Sequence, residues 1–193
     1  MYILLLSLFT QKEIEIKVKP GEVVNIKVIG ESPQAQLYVS PTGNDANPGT
    51  KELPIKSLSL IDNRTQNGDL VLLRSGVYKG SSISWNSSSP KNVTIAAYPN
   101  EQPILDGEFK RVYGVRVERN SLKIEGLTCR YFTAYGIGHV RPTGVFVKNC
   151  IAYGNGSAGI VMNYAINNPG VLVEDCITFL NGWRSGWASG IHL

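Results

Sequence analysis

Histidine and cysteine are scarce in this chain, two of the first and three of the second in 193 residues. The cysteines, Cys129, Cys150 and Cys176, are odd in number and show no Cys-x-x-Cys or Cys/His spacing. Neither a disulfide framework nor a zinc site is encoded. Acidic clusters are missing too: Glu174 and Asp175 are the only adjacent carboxylates in the repeats described below. Long apolar runs are also absent. The longest near the start, residues 2–9, is far short of the ~20 needed to cross a bilayer, so no stable membrane span is encoded. That run has the length of a signal-peptide centre but lacks a basic start and a small-x-small cleavage site, and reads either as a degenerate export signal or as a buried first strand. Dense basic stripes are lacking as well. The net charge is +4, with seven Lys/Arg against seven Asp/Glu in residues 1–68 and twelve against eight in 69–193. Without a recognisable module, that excess excludes a nucleic-acid binder and leaves only a weak pull towards acidic partners.

What the chain does hold is repetition. Gly144-Val145-Phe146-Val147-Lys148-Asn149-Cys150-Ile151-Ala152-Tyr153 is answered 26 residues later by Gly170-Val171-Leu172-Val173-Glu174-Asp175-Cys176-Ile177-Thr178-Phe179. A worn copy, Leu122 to Cys129, sits 23 residues before the first, and each copy leads to a Gly-Ile pair (Gly136-Ile137, Gly159-Ile160, Gly190-Ile191). Short β-branched strands at such a period are the coils of a solenoid. The two-residue period of a strand assigns the faces: Leu122, Val145 and Val171 form one inward column, and Ile124, Val147 and Val173 the next. Lys123, Phe146 and Leu172 point outward, as do Glu125, Lys148 and Glu174, the last three placing opposite charges on neighbouring strands. Cys150 and Cys176 stack as core residues. Asn155 and Asn181 repeat in register as an asparagine ladder. At about 25 residues per coil, 69–193 makes about five coils.

Upstream, residues 12–19 alternate polar and apolar, Pro20-Gly21 turns the chain, and Val23 to Val28 resumes the pattern, which reads as a β-hairpin. Residues 1–33 are therefore set apart from a β-helix over 37–193, with Gly30-Glu31-Ser32-Pro33 as linker. Residues 41–50 are dense in turn formers. Ile55, Leu58 and Ile61 fall at intervals of three, giving a short amphipathic helix over 55–66 that Asn67-Gly68 stops.

The run Tyr38-Val39-Ser40-Pro41-Thr42-Gly43-Asn44-Asp45-Ala46-Asn47-Pro48-Gly49-Thr50, then Gly68 to Tyr78 and Tyr98 to Gly107, resembles the N-terminal part of secreted right-handed parallel β-helix proteins of the pectate-lyase-like superfamily, among them the family 9 polysaccharide lyases. The resemblance covers roughly residues 37–193. It implies an all-β, right-handed solenoid whose 55–66 helix caps the first coil, and an extracellular or cell-surface protein. It also implies calcium held by acidic residues, with a Lys base that removes a proton from an acidic polysaccharide by β-elimination. The turn where an Asp-rich sequence is wanted reads Asn155-Gly156-Ser157-Ala158-Gly159, so no catalytic residue of that family carries over, and calcium rests on the resemblance alone. Calcium needs six to eight oxygen ligands, several of them charged.

The best binding candidates lie in the turn from Asn181 to Gly190, five residues longer than its counterpart, because insertions in a solenoid emerge on its surface. Trp183 and Trp187 flanking Arg184 suit a sugar ring and a uronate carboxylate. His192, on the next strand, points outward and is a candidate acid or base, while His139 falls inward with Met162 and Leu193. Arg130 and Tyr131, with Tyr135, extend the same face one coil before Tyr153. Lys110, Arg111, Arg116 and Arg119, mixed with Glu108 and Glu118, suit a polyanion or a solvated face. The chain stops at Leu193 as a strand begins, so C-terminal coils or another domain are expected to follow. Two functional classes stay open: a lyase acting on acidic polysaccharide, and a non-catalytic glycan-binding, adhesive or spike-like module.

Overall fold

In the computed structural model the chain is described at residues 37–86, 88–90, 92–118, 121–140, 144–163, 170–184 and 189–192. The hairpin expected over 12–28 and the apolar run 2–9 lie outside these residues.

The repeats fold as read. Strands, numbered in chain order, stack into three parallel sheets. The first sheet holds β1 (Leu37–Val39), β2 (Leu70–Leu73), β5 (Val93–Ala97), β8 (Leu122–Glu125), β11 (Val145–Lys148) and β14 (Leu172–Glu174). The second holds β3 (Gly76–Lys79), β6 (Pro103–Asp106), β9 (Thr128–Arg130), β12 (Ile151–Tyr153) and β15 (Ile177–Phe179). The third holds β4 (Ile83–Trp85), β7 (Tyr113–Glu118), β10 (Tyr135–Val140), β13 (Ala158–Asn163) and β16 (Ser189–His192). The chain visits the sheets in turn, so β2 to β16 make five three-strand coils of a solenoid. Every coil pairs with the next through parallel ladders, and this pairing satisfies the backbone polar groups that the dry interior would otherwise leave without partners.

The core is made of columns. Leu37, Val71, Ile95, Ile124, Val147 and Val173 succeed one another in register on the first sheet, and the first five are at most 2% exposed. Val93, Leu122 and Val145 form the neighbouring column. On the second sheet the inward column reads Tyr78, Leu105, Cys129, Ala152 and Thr178, and on the third Ile83, Val115, Ile137, Ile160 and Ile191. As the second column shrinks from Tyr78 to Ala152, Phe132 fills the interior instead. It is fully buried, and a Cβ at Gly107 would lie 2.5 Å from its ring.

The corners have a local cause. Between the first and second sheets the chain turns through a left-handed residue in each of the last three coils, Gly126, Asn149 and Asp175, the residue types that adopt positive φ most readily. The next corner repeats the device at Tyr131, Gly154 and Leu180, where two of the three are bulky residues strained by positive φ.

The cap is shorter than the sequence pattern suggests. A 3-10 turn, Leu58–Leu60, runs into a single α-helical turn, α1 (Ile61–Arg64). Ile55 is not helical; it forms a parallel bridge with Val39. Ile55, Leu58 and Ile61 are all buried as expected, since a spacing of three over so short a window fits a bridge followed by a turn as well as one helix. The loop 41–50 is tied down by Asp45, whose carboxylate accepts from the Ser57 hydroxyl at 2.5 Å and from the amides of Ser57 and Lys56 at 2.7 and 2.9 Å. Those bonds, led by Ser57, hold the Asp45 carboxyl below the usual carboxylate range.

Candidate functional site

The corner between the second and third sheets places side chains from four coils side by side. Phe109 follows β6, Tyr131 follows β9, Tyr153 ends β12, Phe179 ends β15, and Trp183 lies in the turn after it. Their rings make one continuous path. Trp183 meets Phe109 edge-on at 5.6 Å, and Phe109 stacks on Tyr131 at 4.9 Å. Tyr131 meets Tyr153 edge-on at 5.7 Å, and Tyr153 stacks on Phe179 at 4.8 Å with planes 6° apart. Trp183, Phe109 and Phe179 are 52%, 54% and 44% exposed, so the path is a surface strip rather than core.

Backbone details build the strip. A Cβ at Gly154 would sit 2.7 Å from the Tyr131 ring, so glycine there lets the ring lie across the coil below. The Trp183 indole N–H donates to the Gly154 carbonyl at 3.0 Å, fixing the plane of an otherwise exposed ring. Beneath them runs the asparagine ladder. Asn155, fully buried, accepts from the Phe132 amide at 3.0 Å and donates through Nδ2 to the Cys129 carbonyl and Asn181 Oδ1 at 3.3 and 3.0 Å. Asn181 accepts from the Asn155 amide and donates to the Ala152 carbonyl, each at 3.0 Å.

The sequence candidates fall as follows. Trp183 and Tyr131 belong to the strip. Arg130 lies beside it with its guanidinium engaged: Nε donates to Asp106 at 2.8 Å, a terminal nitrogen donates to the Tyr153 hydroxyl at 3.1 Å, and the group stands 5.1 Å from the Tyr131 centroid. Its pKa is pushed up by Tyr153 and Asp106 against the opposing effect of burial. Arg184 is exposed next to Trp183, its amide donating to the Gly156 carbonyl at 2.8 Å. His192 is exposed on β16, in register with Val161 and away from the ring path; no described contact joins it to the strip. Tyr135 opens β10 rather than lying in a turn, and stacks on Tyr113 at 5.6 Å. Trp187, Arg119, Leu193 and the His139 side chain lie outside the described residues, although the His139 backbone pairs with Met162 as the columns require.

Sequence reasoning left out Phe109, and took Tyr153 and Phe179 only as the ends of repeats. The signal for the last two was there, because both copies finish on an aromatic. Phe109 precedes the clean repeats and joins the strip only through register.

Glu174 and Asp175 do not fit a calcium site. Lys148 Nζ lies 3.0 Å from Glu174 and 4.0 Å from Asp175, so a cation already occupies their field, and the Glu174 contact pushes the lysine pKa up. Among the described residues no three His, Cys, Asp or Glu gather to hold a metal. No described helix is long and apolar enough to cross a membrane.

A family model described as "Pel9A-like, right handed beta helix region" matches residues 37–168. The chain is 36% identical over 73 residues to the uncharacterized protein YwoF of Bacillus subtilis (strain 168), a match covering 37% of this chain and 16% of that protein. It is 34% identical over 77 residues to pectate lyase PEL9 of Emericella nidulans, covering 38% and 19% respectively. To pectate lyase L of Thermoclostridium stercorarium it is 30% identical over 130 residues, covering 64% and 10%. Among solved structures, a GH136 lacto-N-biosidase from Eubacterium ramulus shares the fold with a TM-score of 0.55 at 19% identity, over 72% of this chain and 33% of that one. The chain thus spans less than a fifth of the length of the curated relatives it matches.

Proposed function

The chain belongs to the Pel9A-like right-handed β-helix family, whose model matches more than half of it, and from that premise we propose that it is an extracellular protein that binds acidic polysaccharide along its aromatic strip. The observation that carries this reading is the run of five rings from Trp183 to Phe179, three of them exposed to solvent. The apolar faces of sugar rings stack on such surfaces, and a strip that crosses successive coils takes successive residues of an extended saccharide. Arg184, exposed beside Trp183, supplies a fork for a uronate carboxylate. Arg130 serves the strip from the side, because Asp106 and Tyr153 hold its donors.

The relatives named as pectate lyases extend the proposal to β-elimination. That reaction needs a cation against the uronate carboxylate and a base for the adjacent carbon-bound proton. We assign the described residues the binding part of this chemistry. A non-catalytic glycan-binding module is the second reading, favoured by the way Lys148 pairs with Glu174 and Asp175, the adjacent carboxylates of the described repeats.

Two assays separate the readings. Retention on a polygalacturonate-bearing gel, lost in Trp183→Ala, supports the strip; a wild type that migrates freely overturns it. Incubation with polygalacturonate or alginate plus calcium, followed by ultraviolet absorbance from the unsaturated product, supports elimination if absorbance rises. Retention without a rise leaves the binding module.

A further inference from the structure

Next to the strip, at β4 and β7, lies a cleft whose lining includes none of the five rings. It is open to solvent and offers about 280 Å³, and Ser82, Ser84, Lys110, Arg111, Tyr113 and Arg116 form its polar and aromatic lining. That volume is near the lower end of small-ligand sites, roughly 300 Å³, and suits one sugar residue rather than several. The lining holds three cations and no carboxylate.

Each cation has a defined setting. Arg111 donates through Nε to the Gly80 carbonyl at 2.5 Å, which anchors one edge of the guanidinium and, among the described residues, leaves its two terminal nitrogens as donors. Arg116 stands 5.3 Å from the Tyr113 centroid and pairs with Glu118 on the same strand, so its charge is partly answered. Glu108 lies close to the other rim, its carboxylate 3.2 Å from where a Cβ at Gly80 would be. Lys110 and Arg111 form no ion pair among the described residues. Tyr113 is backed by Tyr135, whose ring stacks on it at 5.6 Å.

The cleft continues the strip. Phe109, second in the ring path, directly precedes Lys110, and the two are held in one turn by the bonds from the Phe109 amide to the Tyr131 carbonyl and from the Lys110 amide to the Gly107 carbonyl, at 2.8 and 2.9 Å. A saccharide lying over Trp183 and Phe109 therefore runs on into a basic recess. We infer that this recess is a subsite for one carboxylate-bearing sugar residue, a site that rests on the strip being a sugar platform and adds to it a reading of charge. Guanidinium forks pair with carboxylates in a way that an ester or a hydroxyl cannot reproduce, so the subsite rejects a neutral chain by leaving its own cations unanswered.

The test is calorimetric titration of the whole chain with tetragalacturonate and with its fully methyl-esterified form. The wild type is expected to bind the free acid about tenfold tighter or better, the effect of one charge-assisted pair. Lys110→Gln and Arg116→Gln, both at exposed positions, are expected to bring that ratio towards one while the ester binds as before. Tyr131→Ala and Trp183→Ala are expected to weaken both ligands alike. Equal wild-type affinity for the two ligands, or an equal loss for both in Lys110→Gln, overturns the subsite and leaves the strip standing. Failure of the wild type to bind either ligand overturns the strip, and the subsite with it.

Discussion

Replacing Asn155 with alanine should be strongly destabilising. The side chain is fully buried and makes three bonds: from the Phe132 amide, to the Cys129 carbonyl and to Asn181 Oδ1. Truncation strands the Phe132 N–H in a dry interior, removes a donor from the Cys129 carbonyl, and leaves a small void. An unmet buried donor costs ~1–3 kcal/mol, and the weakened carbonyl and the void add to it, so a loss of about 4 kcal/mol is expected. For a chain of this size each kcal/mol moves the midpoint by roughly 2–4 °C, which puts the drop in Tm near 10 °C. Asn181 makes the same kind of contacts from a half-buried position, where water can replace them, and Asn181→Ala should cost only about 1–2 kcal/mol. Thermal unfolding followed by circular dichroism gives both numbers. An Asn155→Ala midpoint within about 3 °C of wild type, or an Asn181→Ala variant that is the less stable of the two, would refute the ladder as a stabilising element.

Other changes follow from the same geometry. Gly156→Ala drives a Cβ into the Thr133 carbonyl, a backbone atom that cannot swing aside, so a loss of about 2–3 kcal/mol is expected in urea unfolding, and a neutral result would contradict the stacking of those turns. Arg130→Ala leaves Asp106, whose side chain is only 10% exposed, without its ion pair; destabilisation by about 3 kcal/mol is expected, with poor rescue by Arg130→Lys because a point charge cannot serve Asp106 and Tyr153 together. The Cys150 thiol, hydrogen-bonded to Cys176, lowers the Cys176 pKa to about 7, while burial pushes Cys129 up to about 12 and Cys150 well above an ordinary thiol. Since the thiolate is the reactive form, alkylation by iodoacetamide should rise through pH 7 at Cys176 alone, and Cys150→Ala should move that midpoint upward; peptide mapping that finds Cys129 modified first would sink this reading.

How far the sequence could be read depended on whether a feature repeats. The inward columns, the Lys148–Glu174 pair and the Asn155–Asn181 ladder all recur at the coil period, so alignment of the copies was enough to place them, and the ladders and bonds agree. Ile55 misled because a bridge and a helical turn both place residues three apart on one side, and the pairing with Val39 that decides between them depends on a residue 16 positions away. The strip was half legible. Trp183 and Tyr131 stood out as aromatics in turns, but Phe109 comes before the regular copies, and its place beside Tyr131 is set by a backbone bond between coils rather than by spacing. The strain at Phe109 and Tyr131, φ of 56° and 58°, was invisible in the sequence, because bulky residues seldom adopt that conformation.

Hydrogen exchange of the backbone, measured with and without a galacturonate oligosaccharide, locates the bound saccharide directly. Protection is expected in the turns at 107–111, 130–133, 153–157 and 179–184, where the rings of Phe109, Tyr131, Tyr153, Phe179 and Trp183 meet. Protection confined to the outer face of the first sheet, around Phe146 and Leu172, with none at those turns, would contradict the assignment of the strip as the binding surface.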